Sequence, residues 1–123
     1  MKHAELTEVA QSVVERAQKR LPVEIRDLAR AVPVCYLDLP SREIMDEGWE
    51  PDILGLFVGH PHLGEFTDAQ PLPPQILLFL GNIWDYAEED PEIFRDEVRL
   101  TYLHELGHYL GWDEDEIAQR GLD

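Results

Sequence analysis

The sequence is poor in cysteine, in basic residues and in long apolar runs. Its single cysteine, Cys35, cannot form a disulfide within the chain, so disulfides contribute nothing to the fold. Cys35 lies inside an apolar stretch, which predicts a small buried side chain rather than a redox or ligand role. No run reaches the roughly 18 apolar residues that indicate a membrane-spanning helix, so the sequence argues against a membrane protein.

Positive charge is scarce, with 10 basic residues against 26 acidic ones and a net charge of −16. Such a surface repels phosphate, which argues against nucleic acids and anionic membranes as partners. The same charge keeps the protein soluble and could attract basic peptides. A solvated acidic surface without a partner is the simpler interpretation.

The chain also lacks features of export and of several domains. Residues 1–5 become polar at once and lack the apolar core of a signal peptide, so we expect a cytoplasmic location. A length of 123 residues, 44% of them hydrophobic, predicts one domain over residues 1–123 with a single core. A monomer is the default expectation.

Periodicity and capping residues predict helices towards both ends and strands between them. The predicted elements are helices at 4–20 and after Pro22, strands at 32–37, 53–58 and 75–80, and short helices at 42–46 and 83–87. Gly55 weakens the second strand, which suggests a bulge or a close backbone approach. A long proline-rich loop follows at 59–74, and such loops are often functional. This order favours an α+β fold with a small sheet packed against a helix.

The main predicted helix begins at Asp90-Pro91 and ends at Gly111. Asp90 is a typical N-cap, and proline is favoured at the first helical position. Gly111 can take the left-handed conformation that terminates a helix. Residues 98–110 are mostly apolar, so we expect this helix to be buried on most sides. One or two further helical turns are predicted at 113–120.

This helix carries the motif His104-Glu105-Leu106-Gly107-His108. Histidines four residues apart lie one turn apart, so their imidazoles can converge on one ion. Zinc suits imidazole nitrogen and needs a third protein ligand if a catalytic position is to stay open. Glu105 lies about 100° around the axis from His104, where it can act as general base beside the metal. Random order gives roughly 0.02 copies of this motif in such a composition, so it predicts a zinc site.

The motif continues to Gly111 and Glu114, and this stretch resembles the extended motif of zincins, His-Glu-x-x-His-x-x-Gly-x-x-(His/Asp), with glutamate at its last position. More closely, it is similar to a small bacterial zincin-like metallopeptidase family with a minimal matrix-metalloprotease-like fold. The similarity includes the strands around 54–57 and 75–79 and the proline-rich loop between them. It covers roughly residues 20–118.

The resemblance implies a zinc peptidase whose peptide or protein substrate lies along an edge of the sheet. It also implies a third metal ligand three residues after the glycine, at Glu114. Asp113, Asp115 and a water molecule remain alternatives, because several acidic residues crowd the same turn.

Other residues are weaker candidates. His60 and His62 open the long loop and could bind substrate or a second metal, although exposed loop histidines are the simpler interpretation. Tyr86 and Tyr109 could donate a hydrogen bond to an oxyanion, although half-buried packing is more common for tyrosine. Trp112 is expected to be a packing residue.

Two further functions fit the same residues. The chain could be a zinc-stabilised binding or regulatory module that does not turn over a substrate. It could also be a zinc hydrolase of a non-peptide amide or ester. A fold and a motif do not fix the substrate, so the sequence alone leaves these alternatives beside the zinc peptidase.

Overall fold

A computed structural model describes residues 1–59 and 73–120. The helices in this part of the chain are α1 (His3–Lys19), α2 (Val23–Ala31), α3 (Arg42–Asp46), α4 (Leu80–Tyr86), α5 (Pro91–Tyr109) and α6 (Glu114–Gln119). The strands are β1 (Val34–Leu37), β2 (Gly55–Val58) and β3 (Gln75–Phe79). None of the described helices combines the length and the hydropathy that a membrane crossing requires.

The three strands form one sheet in the order β1-β3-β2, with β1 parallel and β2 antiparallel to β3. Side chains of the central strand alternate between its two faces. Ile76 and Leu78 join the main core with the helices, whereas Leu77 and Phe79 join a smaller core with Leu56. The predicted α+β fold, a small sheet packed against the motif helix, is confirmed.

Helix α5 packs against α1, α4, β2 and β3, and it ends where the sequence predicted. The Asp90 carboxylate accepts hydrogen bonds from the backbone N–H groups of Glu92 and Ile93 at 2.9 and 3.1 Å, and Pro91 is the first helical residue. Just beyond the other end, Gly111 has a φ of 81°. Local chemistry alone therefore fixes the bounds of the helix that carries the motif.

Two strands begin later than expected. β1 begins at Val34 rather than at 32, because the preceding Pro33 has no N–H group to donate to a ladder. β2 begins at Gly55 rather than at 53. The Asn82 side chain donates to the carbonyls of Pro51 and Ile53 at 2.8 and 2.9 Å, so this stretch is bound to α4 instead of extending the ladder.

Cys35 lies half-buried in β1, at the edge of the smaller core. Its thiol donates to the Gln75 side-chain carbonyl at 3.1 Å. The expectation of a buried side chain was therefore too strong, since Cys35 packs at the margin of this core and is only partly buried. A packing role remains the interpretation that these contacts favour.

Candidate metal centre and active-site cleft

A cleft of about 720 Å³ lies between the edge strand β2 and the C-terminal half of α5. Residues from the loop before β2, from β2, from α5 and from the turn after α5 line it: Trp49, Gly55, Leu56, Phe57, Gly59, His104, Glu105, His108, Gly111, Trp112, Asp113 and Glu114. The fold thus brings all four residues that the sequence singled out for metal binding and catalysis to one cleft.

Three potential metal ligands converge at the floor of this cleft. The Nε2 atoms of His104 and His108 are 3.2 Å apart. One carboxylate oxygen of Glu114, Oε1, lies 3.1 Å from the first nitrogen and 3.2 Å from the second. The two imidazoles are about one-third exposed, so one side of the triangle of atoms stays accessible from the cleft.

The spacing of these atoms fits zinc. Ligand atoms bound to tetrahedral zinc at about 2.0–2.1 Å lie about 3.3–3.4 Å from one another, close to the three observed separations. When both rings carry their proton on Nδ1, all three atoms are hydrogen-bond acceptors. Three lone pairs facing one another at this range repel unless a cation lies between them. Two imidazole nitrogens with one carboxylate oxygen are also a donor set that zinc enzymes use.

The turn after α5 brings Glu114 back to the histidines. The N–H groups of Gly111 and Trp112 donate to the carbonyls of His108 and Gly107, both at 3.0 Å. These two bonds, with the left-handed conformation of Gly111, form the turn that commonly terminates a helix at glycine. The chain therefore reverses direction directly after α5, and this brings Glu114 back to His104 and His108.

The neighbouring acidic residues are less well placed as ligands. Asp113 is the N-cap of α6, and its carboxylate accepts a hydrogen bond from the Glu116 N–H at 2.9 Å. Asp115 is exposed and is not among the residues lining the cleft. The assignment of Glu114 as third ligand stays a prediction, which its contacts with both imidazoles support.

Glu105 lies beside the triangle. An oxygen of its carboxylate and one ring nitrogen of each histidine all lie within 4.8 Å of one another, so Glu105 would adjoin a metal ion held by the two imidazoles. Burial raises the pKa of the Glu105 carboxyl; His108, His104 and a hydrogen bond from the Phe57 backbone N–H lower this pKa, and Glu114 raises it. Burial is a usual way of moving a carboxylate towards the basicity that a general base needs.

The hydrogen bond to Glu105 comes from the outer edge of the sheet. The Phe79 N–H donates to the Leu54 carbonyl at 2.9 Å, and antiparallel pairing alternates from there. Gly55 and Phe57 therefore direct their backbone groups away from β3. The Phe57 N–H donates to the Glu105 carboxylate, so the edge strand and this side chain are joined directly.

The approach of β2 to α5 requires a glycine at position 55. A Cβ atom there would lie 2.6 Å from Cγ2 of Thr101, 3.2 Å from the Leu77 carbonyl oxygen and 3.4 Å from Cγ of Glu105. The close backbone approach suggested by the sequence is therefore present, because any larger residue would force the strand away from the helix.

We expect Gly55→Ala to lower the free energy of unfolding by about 1–3 kcal/mol, the usual cost of overpacking a well-filled site. Thr101→Ser removes the methyl group that the new Cβ would meet. The double variant should therefore recover a large part of the loss, as measured by denaturant unfolding. If Thr101→Ser gave no recovery, the contact with Thr101 would not be the cause.

A second cavity, of about 360 Å³, adjoins the same residues. It shares Gly55, His104 and Glu105 with the cleft, and its other lining residues are mostly apolar: Ile53, Leu54, Leu100 and Thr101. Glu105 thus lies between the cleft and a smaller, mostly apolar cavity at the start of the edge strand.

The remaining candidates have different outcomes. Tyr109 is buried and packs edge-to-face on Phe57 with ring centroids 5.8 Å apart, whereas Tyr86 is exposed on α4. Neither tyrosine is among the described residues that line the cleft. His60 and His62 lie outside the described residues.

Two tryptophans belong to the cleft. Trp112 was expected only to pack, but it lines the cleft as well, because the turn at Gly111 directs it there. Trp49 was not singled out from the sequence; it lines the cleft and is 46% exposed. The available signal was one large apolar side chain in an otherwise polar turn, which is too common on protein surfaces to identify a binding site by itself.

Comparison with known proteins agrees with the geometry. The family model described as zincin-like metallopeptidase matches residues 29–122 of the 123. No curated protein matches the chain. The matched range includes the whole sheet, the motif helix and the turn that carries Glu114.

Proposed function

This chain belongs to the zincin-like metallopeptidase family, and from that premise we propose that it is a zinc-dependent peptidase with Glu105 as general base. The observation that carries the proposal is the convergence of two imidazole nitrogens and one carboxylate oxygen within 3.1–3.2 Å, in a cleft that also holds a second, half-buried carboxylate. Unrelated polar side chains on a helix surface are not expected to bring two imidazole nitrogens and a carboxylate oxygen this close together.

In the proposed mechanism, His104 and His108 would hold the metal through their Nε2 atoms and Glu114 through its carboxylate. When bound, zinc supplies Lewis-acid activation of water and of a carbonyl group. Glu105 takes the proton from the attacking water on one of its carboxylate oxygens. The protonated carboxyl then returns that proton to the leaving amine nitrogen, so the base is regenerated in each cycle.

An extended peptide suits the cleft. The outward backbone groups of Gly55 and the outward carbonyl of Phe57 can pair with a peptide backbone, as exposed sheet edges do in other complexes, whereas the Phe57 N–H is bonded to Glu105. The apolar cavity next to Gly55 offers room for an apolar side chain of the substrate. Glu105, Asp113 and Glu114 line the cleft, and its described lining residues include no lysine or arginine. This negative lining favours neutral or basic peptides over acidic ones.

The experiment that tests this function is hydrolysis of a peptide library at neutral pH. We expect hydrolysis to stop when a chelator removes the metal and to return after one equivalent of zinc per chain is added. Circular dichroism of the metal-free protein checks that the fold persists. Hydrolysis that is indifferent to chelation would contradict the proposal, and stoichiometric zinc without hydrolysis would favour a binding module.

A further inference from the structure

Helix α6 carries Glu114 as its first residue, yet it is poorly supported by the rest of the fold. It has only six residues, and helices this short are marginal on their own. Among the described elements, α6 has no extensive packing partner, and its described side chains are exposed or half-buried. A metal ligand on such an element needs another feature to hold it in place.

Arg120, at the C-terminal end of α6, provides that feature. Its guanidinium carbon lies 4.2 Å from the centroid of the Trp112 ring. Its Nε and Nη2 atoms donate to Oε1 of Glu116 at 3.3 and 3.0 Å. Arg120 thus binds the residue that precedes the N-cap of α6 and a residue in the first turn of α6, so it closes the segment around Glu114 at both ends.

The type of side chain matters for this contact. Arg120 is the only basic residue between positions 113 and 120, where four consecutive acidic residues repel one another. A planar guanidinium can stack on an indole ring and donate two hydrogen bonds within its plane at the same time, which a lysine ammonium cannot do. The contact therefore also offsets the charge repulsion within the turn.

We propose that Arg120 is a positioning residue for the metal centre, which holds Glu114 against His104 and His108 by clamping α6 onto Trp112. This inference rests on the proposed function only through the metal site, and it needs no peptidase activity. Arg120 itself does not touch the ligand atoms, since its described contacts are with Trp112 and Glu116.

The test is a double-mutant cycle on zinc affinity, measured by competition with a chromogenic chelator. We expect Arg120→Gln to weaken zinc binding about 5–10-fold, the combined effect of one exposed cation–π contact and one exposed ion pair. In the Glu114→Ala background, Arg120→Gln should change the affinity less than about 2-fold, because the ligand it positions is gone. Arg120→Lys should fall between wild type and Arg120→Gln.

Arg30→Gln serves as the matched control, because Arg30 is an exposed arginine in the last turn of α2 and lies outside the described lining of the cleft. It should leave zinc affinity unchanged. If Arg120→Gln lowered zinc affinity equally in both backgrounds, its effect would be a general structural one. If it caused no loss of zinc affinity in the wild-type background, Arg120 would not position Glu114. Either result would overturn this inference and leave the proposed metal site intact. A wild type that binds no zinc would overturn the metal site, and this inference with it.

Discussion

Replacing Glu105 with glutamine should abolish most peptide hydrolysis while leaving zinc content and fold unchanged. The substitution keeps the size and shape of the side chain and removes its basic oxygen. General base catalysis typically accelerates a reaction about 10² to 10⁴-fold. We therefore expect kcat/KM to fall by at least about 10²-fold. Hydrolysis of the best library peptide and metal analysis on the same preparation measure the two quantities together.

Glu97→Gln is the matched control for this experiment. Glu97 lies on the same helix, α5, and is not among the described residues lining the cleft, so its replacement should leave hydrolysis near the wild-type rate. Activity that persists unchanged in Glu105→Gln would point to a contaminant or to a different base. A parallel loss of zinc would instead assign Glu105 to the metal ligands, a role that its position within 4.8 Å of both imidazoles would allow.

Removing either imidazole of the proposed site should remove the bound zinc. We expect His104→Ala and His108→Ala each to weaken zinc binding by more than about 100-fold. Residues that only hydrogen-bond to a metal ligand typically contribute about 10- to 100-fold to metal affinity, and loss of a ligand itself should cost more. Metal analysis after dialysis against trace zinc should give close to one equivalent for wild type and little for the variants. Equal zinc content in all three proteins would rule out the site.

The acidic turn and a distant histidine supply the controls. His3 is exposed on α1, so His3→Ala should bind zinc as wild type does. Glu114→Ala should lose far more affinity than Asp115→Ala, although the two residues are adjacent in sequence. A larger loss from Asp115→Ala would transfer the third ligand to that residue and would require the turn to rearrange when metal binds.

Much of the motif helix could be predicted because its determinants are local. Asp90, Pro91 and Gly111 act on their own backbone neighbours, so their effect does not depend on the rest of the fold. The one-turn spacing of His104 and His108 likewise follows from helix geometry alone. The family resemblance could be recognised for the same reason, since its most specific residues lie on one helix and the turn after it.

The other wall of the cleft depends on contacts between distant parts of the chain. Which strand pairs with which is not fixed by local preferences, so the outer position of β2 could not be derived from its own four residues. Trp49 reaches the cleft because the loop before β2 is anchored by Asn82, more than thirty positions later. The clamp between Arg120 and Trp112 spans a turn and a short helix, and its geometry requires both to be in place.

The outward-facing edge of β2 has a consequence for copies of this protein in solution. No described strand pairs with that edge. Although the Phe57 N–H is bonded to Glu105, the other outward backbone groups are a template for adding a strand from any neighbouring chain, including an identical one. Mutual repulsion between molecules that each carry a charge of −16 opposes such aggregation. The Debye length shrinks from about 10 Å at 0.1 M salt to about 3 Å at 1 M, so this protection weakens in concentrated salt. The acidic composition thus acts as colloidal protection for an edge that no described strand covers.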